Sequence, residues 1–330
     1  MFNFFKVFFV FVLIVGCQSG GGQRAPQSKV SSKKIPFELI TPVGENSQPS
    51  FSPAGDRLLF VGSQYFQHSH SQVYEYDFDK RSSRRLTFQD GIIKSPTYLT
   101  STEILYSSNT DQIKENLWEN GFQNRISQFG GNVYYSDLFG NNIHRLTEGK
   151  GSDLYVRGSE NNGDYKVLFV RHEGEKSIVF VAEPQKEKQQ RFYAVDDKEI
   201  ITPHFLNHEY IYFLEKDKDG KTELVGLNVR SKKEVYRKGF DNAQSVFLGP
   251  LKDSLILLQN DGKASSFKSV LPKGQCDSLF MQIPFSVVNA DINRETPTRL
   301  ALELKEDGLS RIYIYNFEKE IVACVSDKKE

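Results

Sequence analysis

Gln48-Pro-Ser-Phe-Ser-Pro-Ala-Gly-Asp-Arg-Leu-Leu-Phe60 is the stretch from which the fold is read. It spells a strand, a tight turn and a second strand. Pro53 and Gly55 supply the turn: proline presets φ, and glycine reaches conformations that a side chain opposes. Val73-Tyr-Glu-Tyr-Asp-Phe-Asp79 then alternates with period two, as a half-buried strand does. Arg84-Arg-Leu-Thr87 closes the unit. Four short strands joined by hairpins make one propeller blade.

The unit returns along the chain. Ser95-Pro-Thr-Tyr98 leads to Glu103-Ile-Leu-Tyr-Ser-Ser108. After a long insertion, Asn132-Val-Tyr-Tyr-Ser-Asp-Leu138 and His144-Arg-Leu-Thr147 finish the second pass. Later passes keep the pattern and lose the motif. Their strand pairs are Tyr165–Val170 with Ser177–Val181, Tyr210–Leu214 with Glu223–Leu227, Ser254–Leu258 with Ala264–Val270, and Arg299–Leu304 with Arg311–Tyr315. Turns at Asp217-Lys-Asp-Gly220, Asn260-Asp-Gly262 and Asp307-Gly308 separate such runs. An Asp-Gly turn between alternating segments is the strongest short hairpin signal. With 26 Phe and 15 Tyr, the composition also favours strands.

Gln48–Phe60, Tyr74–Asp79 and Arg85-Leu-Thr87 together resemble the TolB propeller repeat. That repeat runs P-x-x-S-P-D-G-x-x-I-x-F, then I-Y-x-x-D, then R-x-L-T. Ala54 stands where the pattern has Asp. The first unit matches closely, the second in part, and the others in pattern only. The resemblance covers the body from Phe37 onward. It implies an all-β fold, a six-bladed β-propeller of four-stranded antiparallel blades, and the docking of cell-envelope proteins. TolB itself carries an N-terminal α/β domain; here the first blade follows the tether almost directly, so that domain and its role are not expected. A closed ring removes exposed sheet edges. Phe37-Glu-Leu-Ile-Thr41 reads as the ending of a repeat without its first three strands. It competes with Ile321–Val325 to latch the last blade.

The N-terminus has its own pattern. Lys6 precedes the apolar run Val7–Val15, which is shorter than the roughly 20 residues a spanning helix needs. A basic start, an apolar run and small residues make a secretory signal. Ile14-Val15-Gly16-Cys17 resembles the bacterial lipobox, which implies cleavage before Cys17 and its acylation, palmitate included. Gln18–Lys34 is rich in Gly, Ser, Gln and Lys and buries too little surface to fold. The expected organisation is a signal peptide at 1–16, an acylated cysteine and tether at 17–35, and the propeller at 36–330. Gln18 is not the Asp that favours inner-membrane retention. The expected location is therefore the outer membrane facing the periplasm, with the lipid bilayer as a partner through Cys17.

Charge excludes one class of partner. The 42 Lys+Arg balance 42 Asp+Glu, and loss of Lys6 leaves 41 against 42, which argues against nucleic-acid binding. Cys276 and Cys324 remain once Cys17 is acylated. An oxidising periplasm lets them pair; otherwise they stay as two separate buried thiols.

Catalytic patterns are absent: there is no G-x-S-x-G, no H-E-x-x-H, no C-x-x-C pair and no Walker or Rossmann glycine pattern. Asp217 and Asp219 precede Gly220 like the start of a calcium loop, but Asn228 stands where the ligand Glu belongs, so a hairpin turn is expected. His68 and His70 lie two apart and share a face in extended backbone, which suits a transition metal or a plain polar loop. No third ligand is evident, so no metal or other cofactor is expected. Asn109–Gly131 interrupts the hairpin between the second and third strands of the second blade and holds the only tryptophan, Trp118. It either packs its own aromatics onto the blade or serves as a recognition element.

Val61–Gln72 is the same loop in the first blade. Loops at this level share one face of a propeller. Tyr65, Phe66, His68 and His70 are therefore expected beside Trp118, Phe122 and Arg125 as a partner-docking rim, because aromatics and Arg dominate interface hot spots. Two functional classes follow. One is a non-enzymatic scaffold that docks envelope proteins. The other is a small-ligand (glycan or peptide) receptor or an enzyme using polar groups in the channel. Convergent acids or histidines in the channel favour the second class; an apolar or sparsely polar channel favours the first.

Overall fold

The computed structural model describes residues 37–316 apart from 66–67, 69, 90, 111–129, 150, 162, 187, 250–253, 272–275 and 296–298. Six four-stranded antiparallel sheets form a six-bladed propeller. Blade one is Glu45–Phe51, Arg57–Ser63, Gln72–Asp77 and Ser82–Arg85. Blade two is Ile93–Tyr98, Glu103–Ser108, Asn132–Asp137 and His144–Arg145. Blade three is Ser152–Asn161, Asp164–Glu173, Lys176–Glu183 and Lys188–Asp196. Blade four is Glu199–Leu206, Tyr210–Lys216, Thr222–Asn228 and Glu234–Phe240. Blade five is Ala243–Leu248, Leu255–Asn260, Ser265–Leu271 and Cys276–Ile283. Blade six takes Val287–Ile292, Arg299–Glu306 and Leu309–Asn316 from the end of the described chain and Phe37–Leu39 from its beginning.

The second strands explain the stacking. Leu58-Leu-Phe-Val61, Val167-Leu-Phe-Val170 and Ile211-Tyr-Phe-Leu214 are unbroken apolar runs. A strand reads this way when both of its faces are covered. Leu58 and Phe60 pack with Ala301 and Ile314 of blade six, while Leu59 packs with Tyr98 and Tyr106 of blade two. Alternate residues thus serve opposite neighbours, and each of the six blade-to-blade seams holds its own hydrophobic cluster. The core is a ring of six seams rather than one central mass.

The Leu-Thr ending of the repeat has a physical role. Thr87 Oγ1 accepts from Val73 N at 2.8 Å, and Thr147 Oγ1 accepts from Val133 N at 2.9 Å. Thr41 Oγ1 accepts from Ile312 N at 2.8 Å. In each case the threonine past a fourth strand satisfies an amide of the third. Phe37–Thr41 is therefore a repeat ending in function as well as in sequence. Phe37, Glu38 and Leu39 pair with Tyr315, Ile314 and Tyr313, which makes this segment the latch strand of blade six. Ile321–Val325 lies outside the described residues.

The turn in blade one is equally specific. Gly55 has φ of 71° and its amide donates to Ser52 O at 2.9 Å. A Cβ there would lie 2.2 Å from Asn293 Oδ1, and Asn293 Nδ2 donates to Gly55 O at 2.8 Å across the seam to blade six. The Asp217–Gly220 segment is a hairpin turn: Gly220 N donates to Asp217 O at 3.0 Å and Lys221 N to Asp217 Oδ1 at 2.8 Å.

Candidate functional site

The first strands line the central channel, and all six share a defect. Their register against the second strand slips between Ser47 and Ser50, Lys94 and Thr97, Leu154 and Arg157, Ile201 and His204, Ala243 and Ser245, and Val287 and Asn289. A bulge inserts one residue and re-aims the side chains that follow. Gln48, Ser95, Tyr155 and Thr202 take positive φ of 55°, 54°, 54° and 47° inside these slips.

The bulges free backbone donors, and neighbouring blades take them up. Ser95 N donates to Gln48 Oε1 at 2.6 Å, Tyr155 N to Ser95 Oγ at 3.0 Å, and Val246 N to Thr202 Oγ1 at 3.0 Å. Gln48 N donates to Glu303 Oε2 at 2.9 Å and Phe51 N to Asp291 Oδ2 at 2.8 Å, both across the seam between blades six and one. A chain of side-chain acceptors therefore runs round much of the channel.

Past the bulges the channel widens into a cavity of about 1170 Å³, large for a small-ligand site. The ends of the first strands and the connections that follow them line it, with contributions from all six blades. Ser50, Thr97, Arg157, His204, Ser245 and Asn289, the first residues to pair beyond the slips, are all polar and all line the cavity. Ser245 Oγ is buried and has no hydrogen-bond partner among the described residues.

The charged groups converge. Arg157 Nε donates to His204 Nε2 at 3.1 Å, and Arg157 Nη1 donates to Val156 O at 2.8 Å. This fixes His204 as an acceptor at Nε2, hence neutral. Burial, then the Arg157 and Arg294 charges, holds the imidazole well below its usual range, against a backbone hydrogen bond with Val246. Asp291 accepts from Phe51 N and, at 3.0 Å, from Ile292 N. Burial pushes its carboxyl up, opposed by those amides and by Arg157 and Arg294. Burial pulls the Arg157 guanidinium down, opposed by Asp291. Glu160 stands at the exposed rim, where Oε1 accepts from Gly163 N at 2.9 Å. Ser159 Oγ and His208 Nδ1 are hydrogen-bonded beside it.

His204 gives a pH prediction. Its native pKa is depressed, so the native state excludes a proton that the unfolded state takes up near pH 6.5. Stability contributed by neutral His204 is full above about pH 6.5 and falls below it, by about 1.4 kcal/mol per pH unit. The stability gap between parent and His204→Gln, measured by urea unfolding, should narrow between pH 7.5 and pH 5. A gap independent of pH would show that His204 is not held neutral.

The sequence-derived rim residues lie at the other end of the strands, where second-to-third-strand hairpins emerge. Residues 64–71 and 109–131 are long there, and the equivalent turns at Gly174–Glu175 and Asp307–Gly308 are short. Tyr65 stacks on Tyr74 at 4.8 Å and on His68 at 5.4 Å, and its hydroxyl donates to Asn46 Oδ1 at 2.7 Å. Burial pushes the Tyr65 hydroxyl up to about 12. His68 Nδ1 bonds His70 O at 2.8 Å and Nε2 bonds Tyr74 OH at 2.6 Å, so one ring nitrogen is used within the loop and the other on the third strand of blade one. Among the described residues no cluster of His, Cys, Asp or Glu suits a metal. Phe66, Trp118, Phe122, Arg125, Cys17 and Cys324 lie outside the described residues, as does the side chain of Cys276.

Arg157, His204, Asp291 and Arg294 were not singled out from sequence. They occupy first strands and their connections in blades whose first strands carry no motif. The signal that finds them is register: counting back from each apolar second strand places Thr97, Arg157 and His204 opposite Leu105, Leu168 and Tyr212, as Ser50 is opposite Leu59.

No protein-family pattern and no curated protein sequence matches this chain. Solved structures do. A putative TolB from Agrobacterium tumefaciens superposes with a TM-score of 0.56 at 11% identity, covering 86% of this chain and 94% of the other. TolB from Acinetobacter baumannii gives 0.50 at 10% identity over 84% of this chain and 56% of that longer protein. An oligogalacturonate lyase in complex with manganese gives 0.51 at 9% identity, covering 86% and 93%. At these identities the likeness is one of fold, shared by TolB-type propellers and by enzymes.

Proposed function

We propose that this chain is a membrane-anchored binding protein of the cell envelope that takes a small polar ligand into its channel. The observation that carries this reading is the convergence of Arg157, His204, Asp291 and Arg294 in an open cavity whose wall mixes Ser, Thr and Asn side chains with apolar ones such as Phe51, Leu99 and Phe205. A channel that only held blades together would bury apolar side chains, as the six seams do. Desolvating an arginine, an aspartate and a histidine costs several kcal/mol unless a partner or a function compensates. The anchor at Cys17 and the periplasmic location follow from the lipobox resemblance and belong to the same proposal. Neither the TolB-type neighbours nor the lyase names the ligand. The binder reading rests on the charged cluster and not on a lack of reactive groups, since Ser159 and His208 set a hydroxyl against an imidazole on the same cavity wall.

The test is ligand-dependent stabilisation. A ligand that binds only the native state raises the unfolding temperature. A small-molecule extract of the envelope of the producing cells should raise it for the parent. Ser50→Trp, which fills the cavity just past the bulges, should abolish the effect while Phe88→Ala, on an exposed connection at the opposite face, keeps it. Equal stabilisation of the Ser50→Trp variant would place the ligand elsewhere.

A second reading has one observation behind it. Val43, Phe88 and Phe285 are exposed at 58%, 70% and 43% on connections between blades, on the same face as the two long loops. An envelope protein docked there would leave the channel variants unaffected and respond to Phe88→Ala, so the same pair of variants separates the readings.

A further inference from the structure

We infer that the ligand of the channel carries a carboxylate, held by Arg157 and Arg294; this rests on the small-ligand reading above. Among the described residues Arg157 bonds a neutral imidazole and a carbonyl, and the Asp291 carboxyl acts on it through its field without a hydrogen bond to the guanidinium. With Nε tied to His204 and Nη1 to Val156 O, the outer edge of the guanidinium keeps unspent donors. His204, a neutral acceptor whose Nε2 is shared with the guanidinium, orients the arginine. Arg294, exposed at the mouth, adds a second cation whose field reaches both His204 and Asp291.

Asp291 narrows the choice of anion. A phosphate monoester would bring more negative charge toward this carboxylate, and like charges within a shared site disfavour each other, whereas a sulfate ester carries one charge but spreads it over three tetrahedral oxygens. A carboxylate brings one charge, and its two coplanar oxygens match the parallel N–H bonds of a guanidinium. Each Asp291 oxygen already accepts one backbone amide and retains a lone pair, which suits a hydroxyl beside the ligand's carboxylate. The unpartnered Ser245 Oγ and the hydroxyls of Ser50 and Thr97 extend that polar wall. Glu160 does not cancel the arrangement, because it is turned to the 160–163 turn at the exposed rim.

The experiment divides the envelope extract on an anion exchanger at neutral pH and follows the unfolding temperature with each fraction. The retained, anionic fraction should stabilise the parent. Arg157→Gln and Arg294→Gln should need about tenfold to hundredfold more of it for the same shift, the loss expected of one charge-assisted hydrogen bond. Arg294 is exposed, so its variant keeps the test valid even if Arg157→Gln folds poorly. Methyl esterification of the retained fraction should abolish its effect, since it caps carboxylates and not sulfates. Stabilisation by the unretained fraction alone, or stabilisation that survives esterification, or arginine variants that respond as the parent does, overturns the carboxylate while leaving a channel ligand in place. Stabilisation by neither fraction overturns the channel reading itself.

Discussion

A chain in which Ile40 is replaced by proline is expected to lose about 3–5 kcal/mol of stability, the sum of a lost strand bond, an orphaned acceptor and a disturbed buried side chain. Ile40 N donates to Ile312 O at 3.1 Å, and proline has no N–H to give. The Ile40 side chain is buried in the seam between blades six and one, beside Phe51, Leu58 and Ile314. Thr41 follows at once and satisfies Ile312 N. The substitution therefore strikes the latch and the seam it closes. In a ring this matters more than in an open stack, because an unlatched blade exposes both a sheet edge and an interface. Glu38→Ala, at an exposed position on the same strand, should stay within about 0.5 kcal/mol of the parent. Urea unfolding of both variants measures the difference. An Ile40→Pro midpoint equal to that of Glu38→Ala would show that the ring closes without this strand.

The latch also shows what kind of information the sequence holds. Phe37-Glu-Leu-Ile-Thr41 is legible because the threonine past a fourth strand has a fixed local role, satisfying an amide one strand away, and blades one, two and six fill that role with the same residue. The second strands are legible because burial on both faces demands uninterrupted apolar residues. First strands in blades three to six are not, since one face looks into the channel and follows the ligand rather than the fold. Leu154-Tyr-Val-Arg-Gly158 has neither the alternation nor the turn residues of blade one, and its bulge breaks period two at the residue that matters. The competition between Phe37–Thr41 and Ile321–Val325 is likewise undecidable from pattern, because either segment suits an edge; pairing with Leu309–Asn316 is a matter of register in space. The channel site belongs to the same class of information: Arg157, His204 and Asp291 are separated by 47 and then 87 positions and share no motif, so only ring closure brings them together.

Asp153→Ala should cost about 3–5 kcal/mol, because it strands a buried guanidinium. Arg171 Nε and Nη2 bond Asp153 Oδ1 and Oδ2 at 2.7 and 2.8 Å, a two-pronged pair. The carboxylate side chain is 1% exposed and the guanidinium side chain 10%. The surroundings are built on the pair. Arg171 lies over the Phe180 ring at 5.0 Å, and a Cβ on Gly149 or Gly151 would meet Arg171 at 2.9 or 2.8 Å. Both glycines thus make room for the arginine at the entry to blade three. Asp153 N also donates to Gly131 O at 2.8 Å, tying the end of the blade-two excursion to this strand. Removing the carboxylate leaves the cation in place without the two oxygens that pair it. Removing both charges is gentler: Asp153→Ala combined with Arg171→Met should recover a substantial part of the loss, as buried ion pairs replaced by apolar side chains often do. The comparison distinguishes a pair that stabilises from one that merely must not be broken. A double variant no more stable than Asp153→Ala would mean that the arginine's contacts with the ring and the glycines, rather than relief of its unpaired charge, set the cost.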